Sequence, residues 1–123
     1  MSSRPRILIV DDEPELSTSL KGCLGYKNYE IATAKNGKEA VELFNTCDFD
    51  LVLLDVVMPG MSGYQVMNYI HEKKPDIPIV LMTAYAPVDF TTEDLPQGAH
   101  SYLIKPFDLD QLVTTVQSAL NKG

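Results

Sequence analysis

Basic residues are scarce in this chain: 10 Lys and Arg stand against 17 Asp and Glu, a formal net charge of −7. A surface of that sign repels phosphodiester backbones, which argues against direct nucleic-acid binding. Long apolar runs are missing too. No stretch approaches the length of a membrane span, and no basic-then-apolar leader reads as a signal peptide. Cysteine is limited to Cys23 and Cys47, set in helix-like patterns without metal-ligand spacing. That usage favours buried, reduced thiols in a cytoplasmic protein. Internal repeats and low-complexity tracts are absent. What remains is a 123-residue chain, one domain able to bury a core without staples. Its acidic balance also suits a divalent cation.

The apolar residues come in short runs that alternate with helical patterns. Leu51-Val52-Leu53-Leu54 reads as a strand buried on both faces, with Asp55 where it leaves the core and Met58-Pro59-Gly60 as a turn. Arg6 to Val10 is a similar run, and it too ends in acid, Asp11-Asp12-Glu13. Pro14 suits the first turn of a helix carrying Leu16, Leu20, Cys23 and Leu24, with Asn28 as a left-handed stop. Tyr29 to Thr33, shorter and more polar, fits an edge strand. Asn36-Gly37 opens a helix with Ala40, Leu43, Phe44 and Cys47 inward. Ser62 is an N-cap for a helix with Val66, Met67 and Ile70 inward. Ile77 to Thr83 is the fourth strand, and residues 86–97 predict a short or irregular fourth helix. Ser101 to Ile104 is the fifth strand. Asp108 with Gln111 predicts a capping box, and Phe107 with Leu112 a hydrophobic staple, on a last helix. Its inner stripe is Leu109, Leu112, Val113, Val116, Ala119 and Leu120. Short connections throughout predict an α/β fold, a doubly wound five-stranded parallel sheet of order 2-1-3-4-5 with helices on both faces.

In that order the first and third strands are neighbours, so Asp11, Asp12 and Asp55 converge at the carboxyl edge of the sheet. Carboxylates about 4–6 Å apart repel by roughly 4 kcal/mol per close pair at an effective dielectric near 20, so the cluster holds a proton or a cation. Hard oxygen donors in an open, partly hydrated site favour Mg²⁺ over a transition metal. Thr83 and Lys105 end the fourth and fifth strands and face the acids. Either alone reads as a cap or a plain salt bridge. Together with Mg²⁺ they are what a phosphoryl group needs around its equatorial oxygens. Asp55, central among them, is then the nucleophile that takes it.

Four segments share one further property: Val10-Asp11-Asp12-Glu13-Pro14, the run from Leu54 to Gly63, Thr83-Ala84, and Tyr102-Leu103-Ile104-Lys105-Pro106-Phe107. Together they resemble the receiver domain of two-component response regulators, whose fold is flavodoxin-like, over essentially the whole chain. The resemblance implies that Asp55 is the phospho-acceptor. It implies Mg²⁺ held by Asp12 directly, by Asp11 mainly through water, by Asp55 and by the backbone carbonyl of Val57. Lys105 would pair with the phosphoryl oxygens and join Pro106 through a cis bond. Thr83 and Tyr102 match the switch pair, the hydroxyl moving toward the phosphoryl group and the ring swinging inward behind it. The domain would be a cytoplasmic signalling module and not an enzyme, though it assists its own phosphoryl transfer and dephosphorylation. Its donor would be a histidine kinase or a histidine phosphotransfer protein, docking on the first helix. A homodimer would form through the face of the fourth helix, fifth strand and last helix, without direct contact to membrane or nucleic acid.

Four positions depart from the family pattern. Pro96 lies where the family continues its fourth helix, and Ser62 replaces the usual Asp without loss of capping. Val57 and Tyr85 stand where the family tunes access of hydrolytic water, and the resemblance implies that they shield the acyl phosphate; Val57→Asn and Tyr85→Glu should then dephosphorylate faster than the parent when loss of the phosphoryl group is timed. His71 and His100 read as ordinary surface or loop residues. The expected unit is one receiver over residues 1–123 with no effector domain after it, either stand-alone or cut from a longer regulator. Two other classes compete with this reading. A Mg²⁺-dependent aspartyl-phosphate phosphatase would place a second acid two residues after its nucleophile, where Val57 stands. A flavodoxin-like flavin module would want a Ser/Thr/Gly-rich loop where Asp11-Asp12-Glu13-Pro14 stands, and those acids repel a phosphate.

Overall fold

The computed structural model describes residues 4–56, 60, 62–83, 99–105 and 107–120. Its strands are β1 (Arg6–Val10), β2 (Glu30–Ala34), β3 (Leu51–Asp55), β4 (Ile79–Thr83) and β5 (Ser101–Ile104). All pair in parallel in one sheet of order β2-β1-β3-β4-β5, as the alternation of strand and helix patterns predicts. Four helices are described: α1 (Pro14–Gly25), α2 (Gly37–Thr46), α3 (Gly63–Lys73) and α4 (Leu109–Leu120). The helix expected over 86–97 lies outside the described residues.

The two central strands decide the register. Ile7 to Val10 and Leu51 to Leu54 are all fully buried. Successive side chains point to opposite faces of a sheet. Leu8, Val10, Val52 and Leu54 therefore pack against Phe44 of α2 and Val66 and Ile70 of α3. Ile7, Ile9, Leu51 and Leu53 pack instead against Leu20 and Leu24 of α1 and Leu112 and Val116 of α4. Each such side chain contributes roughly 1.5–3 kcal/mol on burial. A one-residue slip of either strand would reverse every one of these contacts, so the pairing is strongly fixed.

Local signals set the helix starts. Asn36 caps α2 by accepting the Glu39 N–H at 2.8 Å. At α3, Ser62 Oγ accepts the Gln65 N–H and the Gln65 side chain accepts the Ser62 N–H, a full capping box that needs no Asp. Asp108 and Gln111 make the same reciprocal pair ahead of α4. Asn28 has φ 71°, the left-handed conformation expected of it, although α1 itself stops at Gly25 and a turn follows.

Some boundaries and orientations differ from expectation. β2 starts at Glu30 and continues to Ala34, because Glu30 N–H donates to Pro5 and Asp11 N–H to Ala34. β4 starts at Ile79; Ile77 is buried ahead of the strand, and the Pro78 carbonyl accepts the Val52 N–H. Leu109, placed in the inner stripe of the last helix, is 52% exposed. It opens α4 and lines a groove with Gly22, Cys23 and Tyr26 of the α1 end. Cys23 and Cys47 are free thiols as expected but only half-buried, Cys23 at the rim of the same groove. Among the described residues no helix is long and apolar enough to cross a membrane.

Candidate functional site

Four strand ends meet at the carboxyl edge of the sheet. Asp55 is the last residue of β3 and is 5% exposed, a carboxylate carried to the edge of the core by a strand with no polar face. The ladder continues one step past it, since Val56 N–H donates to Met82. Gly63, the first residue of α3, donates its N–H to the Val56 carbonyl. A Cβ at position 63 would collide with the Asp55 carbonyl oxygen and lie 2.7 Å from Val56 Cα. The α3 start therefore presses directly on the backbone that carries Asp55.

Asp11 follows β1 and is also buried. Its Oδ1 accepts the Glu13 N–H at 2.8 Å, and its Oδ2 accepts from Lys105 Nζ at 2.9 Å. Asp12, next in the chain, is exposed. Carboxylate oxygens of Asp11, Asp12 and Asp55 all lie within 4.8 Å of one another, an arrangement able to hold a metal ion. The donor set is three hard oxygens, one exposed acid leaving the cluster open to water, which fits Mg²⁺ better than a softer metal.

Lys105 follows β5, its N–H donating to the Thr83 carbonyl at 2.7 Å. From there its ammonium reaches Asp11 at 2.9 Å, Asp55 at 3.2 Å and Glu13 at 3.4 Å. Burial pulls the Lys105 pKa down, but hydrogen bonds and charges from Asp11 and Asp55 more than reverse it, leaving it above the ordinary lysine value. The ammonium stays charged while it partly neutralises the acids. Thr83 ends β4 half-buried, and Tyr102 on β5 is half-buried against the core cluster of α2 and α3. Tyr102 pairs in register with Leu81, two residues before Thr83. The two therefore occupy the same face of the sheet, Tyr102 behind Thr83 as seen from the site.

Asp11, Asp12, Asp55 and Lys105, the residues singled out from the sequence, are thus brought together, with Thr83 at the adjoining strand end. The Val57 carbonyl, Tyr85 and the peptide bond to Pro106 lie outside the described residues. Two participants were missed. Glu13 stands in the sequence as one of an acidic run, and the available signal is that Glu, a weak N-cap residue, directly precedes Pro14; in the structure its side chain makes no capping bond to α1. Gly63 was read only as part of a motif, although a glycine right after an N-cap, facing a strand end, marks a close approach of backbones.

Comparison with known proteins converges on one family. The model described as response regulator receiver domain matches residues 7–117. The chain is 42% identical over 120 residues to the regulatory protein AtoC of Escherichia coli, covering 98% of this chain and 26% of that protein. It is 40% identical over 118 residues to the response regulator protein PilR of Pseudomonas aeruginosa, with 96% and 26% covered. The chain thus spans about a quarter of the length of these curated relatives. Among solved structures, response regulator protein TrrA of Thermotoga maritima, in complex with Mg²⁺-BeF, superposes with a TM-score of 0.84 at 44% identity, covering 94% of this chain and 99% of that one. A CheY-like receiver domain protein of Methanospirillum hungatei gives a TM-score of 0.89 at 29% identity, with 98% and 96% covered.

Proposed function

This chain belongs to the response regulator receiver family, and from that premise we propose that Asp55 is the residue that accepts the phosphoryl group. The observation that carries the assignment is the placement of a buried Asp55 carboxylate 3.2 Å from the ammonium of Lys105, beside two further acids. One carboxylate oxygen of Asp55 attacks phosphorus. The bond from phosphorus to the donor breaks, its electron pair leaves with the donor, and an acyl phosphate remains on Asp55. Lys105 follows the phosphoryl oxygens as a fixed positive charge, and the Thr83 hydroxyl donates to another of them. Asp11, Asp12 and Asp55 would hold Mg²⁺, with the Val57 carbonyl as a further ligand. When bound, the cation supplies charge neutralisation for the phosphoryl oxygens.

The donor is a phosphohistidine on a histidine kinase or phosphotransfer protein that docks on α1. Phosphorylation then shifts a balance between two arrangements of Thr83 and Tyr102, by binding one of them more tightly. A homodimer through β5 and α4, together with the segment before β5, is the output surface the resemblance implies. The phosphatase reading is not favoured, since Val57 stands where that class places a second acid, and the flavodoxin-like reading is not, since the acids after β1 would repel the phosphate of a bound flavin; the family match covers nearly the whole chain.

The test uses the purified chain with Mg²⁺ and a small acyl phosphate, read by intact mass and peptide mapping. One phosphoryl group should be gained, on Asp55, and EDTA should prevent the gain. No gain in Mg²⁺, or a phosphoryl group on another residue, would sink the assignment.

A further inference from the structure

An ammonium has three N–H donors, and in Lys105 each has a carboxylate within reach: Asp11 at 2.9 Å, Asp55 at 3.2 Å and Glu13 at 3.4 Å. A phosphoryl oxygen arriving on Asp55 can gain one of these donors only if a present acceptor gives way. The three acceptors are not equally able to do so. The Asp11 side chain is 0% exposed, and releasing it would strand a buried carboxylate. Asp55 keeps its carboxylate charge, and with it its hold on Lys105, until its bond to phosphorus forms. The Glu13 side chain is 63% exposed and makes the longest of the three contacts, so it moves into water at little loss.

Resting on the reading of Asp55 as phospho-acceptor, we propose that Glu13 is a positioning residue, a placeholder that occupies the third donor of Lys105 until a phosphoryl oxygen takes it. Local structure supports the role. Glu13 sits at the N-cap position of α1, yet its side chain makes no cap hydrogen bond and turns to Lys105 instead. Its backbone N–H is tied to the Asp11 carboxylate, which fixes where the arm starts. Because Glu13 is negative and stands at the mouth of the site, it both competes for Lys105 and repels an anionic donor before transfer begins. Its release precedes the chemical step, so its effect belongs to donor capture.

The experiment compares Glu13→Gln with Glu15→Gln, an exposed acid in the first turn of α1 that makes the same change in net charge. Phosphorylation by a small dianionic acyl phosphate is followed at saturating Mg²⁺ across donor concentration and ionic strength. Glu13→Gln should lower the KM for the donor by about two- to fivefold, the range of a lost exposed ion pair. Its kcat should stay unchanged, and Glu15→Gln should resemble the parent. Equal falls in KM for both variants would reduce the effect to net charge and overturn the placeholder role. So would a change confined to kcat, or no change at all. If the parent chain takes no phosphoryl group, the reading of Asp55 fails as well, a result separate from any difference among variants.

Discussion

Asp55→Asn should abolish phosphoryl acceptance and, in EDTA, make the fold more stable by about 1–2 kcal/mol, because like-charge repulsion and burial outweigh what holds the carboxylate. The gain in stability follows from the charges. The Asp55 carboxylate lies within 4.8 Å of the acids of Asp11 and Asp12, a repulsion of roughly 3–4 kcal/mol per pair at an effective dielectric near 20. Asp12 is exposed, so water screens its share. Against this stand the attractions on Asp55, among them that of Lys105 at 3.2 Å, roughly 5 kcal/mol on the same scale. Burial of the carboxylate adds a desolvation penalty, and the sum disfavours the charge. Asparagine removes the charge and keeps an oxygen that can accept from Lys105. Urea unfolding in EDTA measures the difference, and a less stable variant would show that Lys105 dominates the cluster. Saturating Mg²⁺ should narrow the gap, because the parent chain has the fuller ligand set and gains more from binding.

Gly63→Ala should act in the opposite direction, destabilising the chain by about 2–4 kcal/mol, at the upper end of overpacking effects. Alanine is the better helix former by about 1 kcal/mol, so propensity alone predicts a gain at the first position of α3. Space forbids it. The added methyl meets the Asp55 carbonyl oxygen and the Val56 Cα, both main-chain atoms with no rotamer to change. Either α3 lifts, exposing Val66 and Ile70, or the end of β3 shifts and carries Asp55 with it. Both outcomes should slow phosphorylation of whatever protein remains folded. Thermal melts and initial phosphorylation rates on one preparation check the pair of effects; a variant as stable as the parent would mean the strand end is softer than its backbone contacts imply.

The elements that proved legible in the sequence were those with no competing reading. Three aliphatic runs, at Arg6 to Val10, Leu51 to Leu54 and Ile77 to Met82, and two shorter or more polar ones, all set between helical patterns, admitted little but a parallel sheet. Its order then brought Asp11, Asp12, Asp55 and Lys105 to one edge. Side-chain direction at element ends was less legible. Leu109 shares the spacing of the buried stripe in α4, but a first-turn residue can lie past the rim of the sheet, and periodicity carries no information about where the rim is. Glu13 was hidden for a related reason. Which acid of a run reaches a lysine 92 positions later depends on how the loop after β1 turns, and here the Asp11 carboxylate holds that loop by its grip on the Glu13 N–H.

Asp11, Asp55, Thr83 and Lys105 all hang from the ends of four adjacent strands, at most a residue beyond them. Their lateral spacing is therefore inherited from peptide geometry, roughly 4.8 Å from one strand to the next, and owes nothing to the outward surfaces of the helices. If partners dock on α1 and α4 as proposed, address and reaction are written in separate parts of the sequence. The exterior of either helix can then be rewritten to suit a new correspondent, and the chemical centre keeps its dimensions.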